Sequence, residues 1–365
     1  MTFRRTKNRL SPPDTFLLIL AGVVILFGLI ALTSATGIVA YNKFGDAFFY
    51  VKRQVAFGIL PGMLFFSIAF FIPYTTWRRL AFPIYCFSLF LLLLIFIPGI
   101  GVSYGRARNW LNVAGFSLQP AEVAKVGLLL YLSVWFERRP SLLSFLVIAG
   151  IPLGLIALQP DIGTFGLVAL VAFVVYFVSG AAWKHIALLV VSGGVAFGVM
   201  IAAAPYRLAR VLTFLSPGTD PSGAGYQLMQ SLVAIGSGGI FGVGLGASRQ
   251  KLQYLPEVAG DSIFSIMAEE LGFIVMLIFL CILLSFFYRG FRIARSAPDQ
   301  FSRLFVTGVF TWFLLQAVLN IGSMVGMLPL TGLPLPFISY GGSALAMSLF
   351  ALGIVANISR YARSA

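Results

Sequence analysis

Residues 14–36 read DTFLLILAGVVILFGLIALTSAT, one acid followed by an uncharged apolar run. A membrane-crossing helix needs about 20 such residues, and this run supplies them. Further runs of that kind lie at 52–73, 80–98, 119–137, 142–159, 162–180, 185–204, 262–288, 303–328 and 337–359. The fifth and sixth meet so tightly, at Gln159-Pro160-Asp161, that they could be misread as one. Arg4, Arg5, Lys7 and Arg9 precede the first run, as in a secretory leader. Its length and the spans behind it make it a first span instead. The expected fold is an all-α polytopic membrane protein of about ten transmembrane helices. One domain is expected over 1–365, with a large extracytoplasmic loop at about 205–261 between spans seven and eight.

The whole chain agrees with that segment. Of its 365 residues, 59% are hydrophobic and 10% charged, and mean hydropathy is +0.98. A soluble domain carries about a quarter charged residues. The composition excludes a soluble enzyme, a disordered scaffold and a nucleic-acid-binding domain. The net charge of +14 reads instead as positive charge gathered in cytoplasmic loops. With the N-terminus inside, 15 of the 25 Lys and Arg fall on the inner side and 9 on the outer, leaving Lys125 within the membrane. Both termini are expected in the cytoplasm. Cys86 and Cys281 sit in separate apolar runs and form no disulfide framework. His185, beside Lys184 in a short loop, is no metal centre by itself. The inner loops leave no room for a nucleotide-binding domain, and no Walker motif or clear inverted repeat occurs. Chemistry is expected on the outer face.

Ionisable groups at membrane depth are costly, so each is a functional candidate. Span four opens Gln119-Pro120-Ala121-Glu122-Val123-Ala124-Lys125. Glu122 and Lys125 share a helix face; they could form a structural ion pair or line a substrate path. Asp161 could cap span six or face a ligand. Arg207 and Arg210 open the large loop three residues apart. Guanidinium groups pair bidentately with phosphate oxygens, so these two suit a lipid diphosphate or ordinary interfacial anchoring. A glycine-dense stretch runs Gly236-Ser237-Gly238-Gly239 through Gly242, Gly244 and Gly246. With no preceding strand it is not a dinucleotide fingerprint; it suits close approach of backbone to a ligand or the membrane. Asp261, at the mouth of span eight, could be an N-cap or a general base whose pKa burial raises. Glu269 and Glu270 lie about 12 Å deeper. The Ser339-Tyr340-Gly341-Gly342-Ser343 start of span ten suits close helix packing or an anion.

In order along the chain, Arg108-Asn109-Trp110-Leu111, Gln119 to Lys125, Gln159-Pro160-Asp161-Ile162-Gly163-Thr164, Gly225-Tyr226-Gln227 to Gln230-Ser231, Ala234 to Gly239, Leu255-Pro256-Glu257, Asp261 with Ile263-Phe264, Glu269-Glu270-Leu271-Gly272 and Pro334-Leu335-Pro336 to Ser343 match one pattern. The chain resembles the SEDS (shape, elongation, division and sporulation) family that includes FtsW, RodA and SpoVE. The resemblance implies a peptidoglycan glycosyltransferase. Such a protein polymerises lipid II, the undecaprenyl-diphosphate disaccharide-pentapeptide, at the outer face of the bacterial cytoplasmic membrane. It implies a class B penicillin-binding protein as partner, among other divisome or elongasome membrane proteins, and no nucleic acid. A lipid II flippase and a non-catalytic scaffold are the rival readings.

The resemblance makes Asp261 the catalytic base of an inverting transfer. Arg207, Arg210, Lys125 and Arg108 are then the candidates to stabilise the diphosphate, with a divalent cation as a further one. Trp110 would form an apolar platform. Glu122, Asp161, Gln227, Gln230 and Ser343 complete the expected substrate-binding set. The loop Pro256-Glu257-Val258-Ala259-Gly260-Asp261-Ser262 departs from the Pro-Glu-x-His-Thr-Asp-Phe common in the family, and Asn109 stands where many members carry a base. Gln316, Asn320 and Leu328-Pro329-Leu330-Thr331-Gly332 lean towards the division paralogue.

Overall fold

Each apolar run folds as a helix, and among the described residues the large loop adds one more. The structure, a computed structural model, describes residues 11–104, 107–113, 116–137, 141–202, 213–214, 216, 223–252 and 254–362. In chain order the helices are α1 Thr15–Phe44, α2 Phe49–Phe71, α3 Tyr74–Leu94, α4 Pro120–Trp135, α5 Leu142–Ala157, α6 Ile162–Val178, α7 Trp183–Ala202, α8 Ala224–Ser237, α9 Ile263–Arg295, α10 Gln300–Met324 and α11 Gly342–Ser359. Among the described residues, six of them (α1, α2, α3, α9, α10 and α11) are long and apolar enough to cross a membrane. Local chemistry sets several starts. The carboxylates of Asp14, Asp161 and Asp299 accept from backbone N–H groups three residues on and cap α1, α6 and α10. In α2 a π-turn over Val55–Ile59 precedes Pro61, which has no N–H to offer the carbonyl four residues back.

The interior centres on α10, where Phe301, Phe305, Phe310 and Phe313 are fully buried. Large apolar side chains such as Leu26, Leu60, Phe71 and Phe273 point outward instead, a pattern suited to lipid rather than water. Small residues let helices close on one another. Gly58 and Gly62 of α2 face Gly342, Ala346 and Leu349 of α11.

Two features depart from a simple helix count. The stretch between the third and fourth apolar runs, in a fold expected to be all-α, contains a three-stranded antiparallel sheet: β1 Gly101–Tyr104, β2 Ala107–Val113 and β3 Phe116–Leu118. Leu111 pairs with Gly101 on one side and Leu118 on the other. Leu111 packs with Leu91, Ile95 and Val123, so the sheet has its own small core at the end of α3 and α4.

The second departure is a break in α9 at Gly272 (φ 72°, ψ 178°). The glycine-rich segment after α8 mends it. Phe273 and Ile274 donate to the carbonyls of Gly239 and Ile240 at 2.9 and 3.2 Å, and Val243 and Gly244 donate to those of Glu269 and Glu270, both at 3.0 Å. A broken helix survives in an apolar setting only if its freed backbone groups find partners like these. The glycines therefore serve close approach, as their density suggests, but to another helix. A Cβ on Gly272 would lie 2.1 Å from the Gly242 nitrogen. Gly272→Ala is expected to destabilise the protein by roughly 3–5 kcal/mol, combining backbone strain and overlap. Thermal unfolding of the purified variant checks this.

Candidate active site

Asp161 and Asp261 look alike in the sequence, each beside the first turn of a helix. Their surroundings differ. Asp161 accepts from Thr164 N at 3.0 Å and Thr164 Oγ1 at 2.9 Å, which is a helix cap, and from Asn109 Nδ2 at 2.8 Å. Its carboxylate thus ties α6 to the sheet. Ser262, not Asp261, is the N-cap of α9, and no side chain caps that helix. The Asp261 carboxylate instead receives Gln227 Nε2 of α8 at 3.2 Å, and the same amide nitrogen donates to Ser262 Oγ at 3.0 Å.

The backbone around Asp261 is fixed from three sides. Asn320 of α10 donates through Nδ2 to the carbonyls of Asp261 and Leu333, at 2.9 and 2.8 Å. Ser339 Oγ donates to the Gly260 carbonyl at 2.6 Å, and Tyr340 N donates to that of Ala259 at 2.8 Å. Gln54 of α2 donates to the Ser339 carbonyl and accepts from Gly341 N. The two laced segments also hold non-glycine residues with positive φ, Glu257 at 51° and Phe337 at 65°. Such backbone costs on the order of 1–3 kcal/mol per residue and persists only where its surroundings impose it. Asp261 is 8% exposed, a buried carboxylate in a rigidly held mouth.

The second cluster is centred on Lys125. Its ammonium lies 2.8 Å from Glu122 Oε1, with both side chains 4% exposed. It donates to Gln316 Oε1 at 3.2 Å and stands 4.4 Å from the Trp312 ring centroid. Gln316 also accepts from Trp312 Nε1 and donates to the Pro334 carbonyl, both at 2.7 Å. Gln316 and Asn320 are one turn apart on α10 and grip the adjacent carbonyls of Pro334 and Leu333. The Lys125 cluster and the Asp261 backbone are therefore joined through one short piece of chain. Asn320→Leu removes both donors and strands two carbonyls. A loss of roughly 2–4 kcal/mol is expected, from about 1–3 kcal/mol for each buried group left unsatisfied, readable by thermal unfolding.

The other expected residues fall into place unevenly. Arg108 Nε and Nη2 donate to the carbonyls of Gly101 and Ile97 at 3.1 and 2.8 Å, so its guanidinium braces its own loop. Trp110 is half-buried on β2, opposite Val102. Ser343 Oγ accepts from Gln119 N at 3.2 Å, tying α11 to the start of α4. Gln230 is half-buried on α8. Arg207 and Arg210 lie outside the described residues. His185, placed by the structure in the first turn of α7 rather than in a loop, bonds the Tyr176 hydroxyl through Nδ1 at 2.9 Å. Cys86 and Cys281 are free thiols.

A divalent cation needs several oxygen donors. Among the described residues no three His, Cys, Asp or Glu side chains form a group able to hold a metal. These side chains do not by themselves make a resident metal site. Asn320 and Gln316 have structural parts that the sequence comparison with the division paralogue does not touch. The signal was present, since two amides four residues apart inside an apolar run share one face and need buried partners.

The described chain can be set beside known proteins. Residues 14–364 match the family described as "Cell cycle protein", FtsW/RodA/SpoVE. Stage V sporulation protein E of Bacillus subtilis (strain 168) is 39% identical over 372 residues, spanning 100% of both chains. A probable peptidoglycan glycosyltransferase FtsW of Geobacter sp. (strain M18) is 36% identical over 368 residues, covering 98% of this chain and 100% of that one. A chain from a peptidoglycan synthase complex, solved to explain the structural coordination of polymerization and crosslinking, superposes with a TM-score of 0.79 at 31% identity, covering 95% of this chain and 98% of the other.

Proposed function

The chain belongs to the FtsW/RodA/SpoVE family of cell cycle proteins, and from that premise we infer that it is a peptidoglycan glycosyltransferase of cell division or cell-shape maintenance. The observation that carries the reading is end-to-end similarity to named glycosyltransferases, at 36% identity over 98% of the chain. The protein is integral to the membrane, as its six long apolar helices and its family require. The cytoplasmic membrane of a bacterium, both termini inside, one membrane domain over the whole chain and an outward-facing loop at 205–261 complete the proposal. The Lys and Arg bias supports that orientation.

The proposed substrate is lipid II. Asp261 accepts the proton of the acceptor sugar's 4-hydroxyl as its oxygen attacks C1 of the donor. The new C1–O bond forms as the C1–O bond to the diphosphate breaks, with inversion at C1, and undecaprenyl diphosphate leaves. Three features support Asp261 as the base. Its carboxylate does not cap its helix, its backbone is held by Asn320, and it is buried at 8% exposure. Charge growing on the leaving diphosphate needs fixed donors. Lys125, Arg207 and Arg210 are proposed for it, Glu122 to hold Lys125, and Trp110 and Gln230 for flanking contacts. Arg108, Asp161 and Ser343, already engaged with backbone or caps, shape that surface rather than reach into it. Similarity to a chain of a peptidoglycan synthase complex supports a crosslinking partner, proposed to be a class B penicillin-binding protein within a divisome or elongasome.

The test is reconstitution with that partner and labelled lipid II. Glycan strands on gels are the expected product. Lipid II translocation across proteoliposomes without strands would replace the reading with a flippase. Neither activity, with the partner still bound, would leave a scaffold.

A further inference from the structure

Gln227 was expected above among the substrate contacts, yet its amide points at another protein group. It projects from the first turn of α8, and its Nε2 reaches Asp261 Oδ1 and Ser262 Oγ, 34 and 35 residues away. A carboxylate can only accept, so the amide face towards Asp261 must be the NH2 face. An NH2 group carries two hydrogens in one plane, and two acceptors on adjacent residues, at 3.2 and 3.0 Å, match that fork. The amide plane is thereby fixed, and with it the torsion of the carboxylate. Asn320 and Ser339 secure the backbone of this loop, whereas Gln227 reaches the Asp261 side chain itself. A neutral donor suits a base better than Lys or Arg would, because a full positive charge against the carboxylate would weaken its proton affinity far more.

We propose that Gln227 is a positioning residue that aims and steadies the Asp261 carboxylate for proton abstraction, rather than a contact to lipid II. The inference deepens the preceding reading and rests on Asp261 being the base. The test is steady-state polymerisation by the reconstituted complex. Gln227→Leu keeps the bulk but not the donors. Its kcat is expected to fall roughly 10- to 100-fold, the range a misplaced catalytic group costs, with KM for lipid II within about twofold of wild type, as for an interaction needed only in the transition state. Gln227→Glu keeps the shape and sets a second carboxylate against the first; it should fall at least as far. If the leucine variant does not fold, the glutamate variant decides. In an Asp261→Asn background neither change should lower the residual rate further. A raised KM with unchanged kcat would make Gln227 a substrate contact and overturn the inference. Full activity of Gln227→Glu would overturn it as well. Full activity of Asp261→Asn would overturn the reading beneath it. An inactive Asp261→Asn beside a fully active Gln227→Leu would overturn the positioning role alone.

Discussion

Asp261→Asn is expected to cut glycan-strand formation from lipid II by about 10²–10⁴-fold, the contribution of a positioned general base. The variant should remain folded. Asparagine has nearly the same volume, its carbonyl oxygen still accepts from Gln227, and the Asp261 carbonyl that Asn320 holds is untouched. What disappears is the ability to take a proton near neutral pH. Lipid II binding, measured with a labelled analogue, should change by less than about threefold, because a base acts in the transition state. Asp161→Asn is the control. Asparagine caps helices as well as aspartate, and it can still accept from Thr164 N. Stability should fall by no more than about 1 kcal/mol, with strand formation retained. Equal loss in both variants would mean that the outer loops tolerate no lost carboxylate, and the assignment of a base to Asp261 would fail.

The sequence separates the elements well and the two aspartates poorly. Long apolar runs have one low-energy solution in an apolar solvent, so the helices follow from hydropathy except α8, which lies in the stretch read as a loop. The sheet at 101–118 escaped because its strands are short and its core is borrowed from Leu91 and Val123 on neighbouring helices; no local periodicity announces it. The break at Gly272 escaped for a related reason. It lies inside a strongly apolar run and is stable only because segment 239–244, distant in sequence, supplies its hydrogen bonds. For the site, residue type was informative and role was not. Lys125 and Glu122, three apart on a helix, had to be neighbours. Whether Arg108 met a ligand or its own loop depended on where the carbonyls of Ile97 and Gly101 came to rest. An N-cap and a general base are the same residue type beside a helix start, and the cap position taken by Ser262 together with a contact 34 residues away, from Gln227, sets Asp261 apart from Asp161.

Lys251→Met is expected to destabilise the protein by about 3–5 kcal/mol, since removing one member of a buried pair leaves the other charge uncompensated. Lys251 and Glu270 lie 2.7 Å apart, each 2% exposed. The ammonium also donates to the Ser34 carbonyl at 3.1 Å, and the Glu270 carboxylate accepts from Ser34 Oγ of α1. Next to it, Glu269 accepts from Ser248 Oγ and from Arg249 N. The pair therefore pins the chain just after the mending segment to both α9 and α1. Glu270→Leu alone should cost a comparable amount, because it strands the ammonium. The double variant Lys251→Met/Glu270→Leu should recover a large part of either loss, since no buried charge remains. Recovery should stop short of wild type, because the Ser34 hydroxyl and carbonyl lose partners worth about 1 kcal/mol each. Unfolding by heat or denaturing detergent, run as a double-mutant cycle, yields the coupling. Additive losses would show that the two charges do not need each other, and that the Gly239–Phe273 and Val243–Glu269 backbone bonds hold this junction without them.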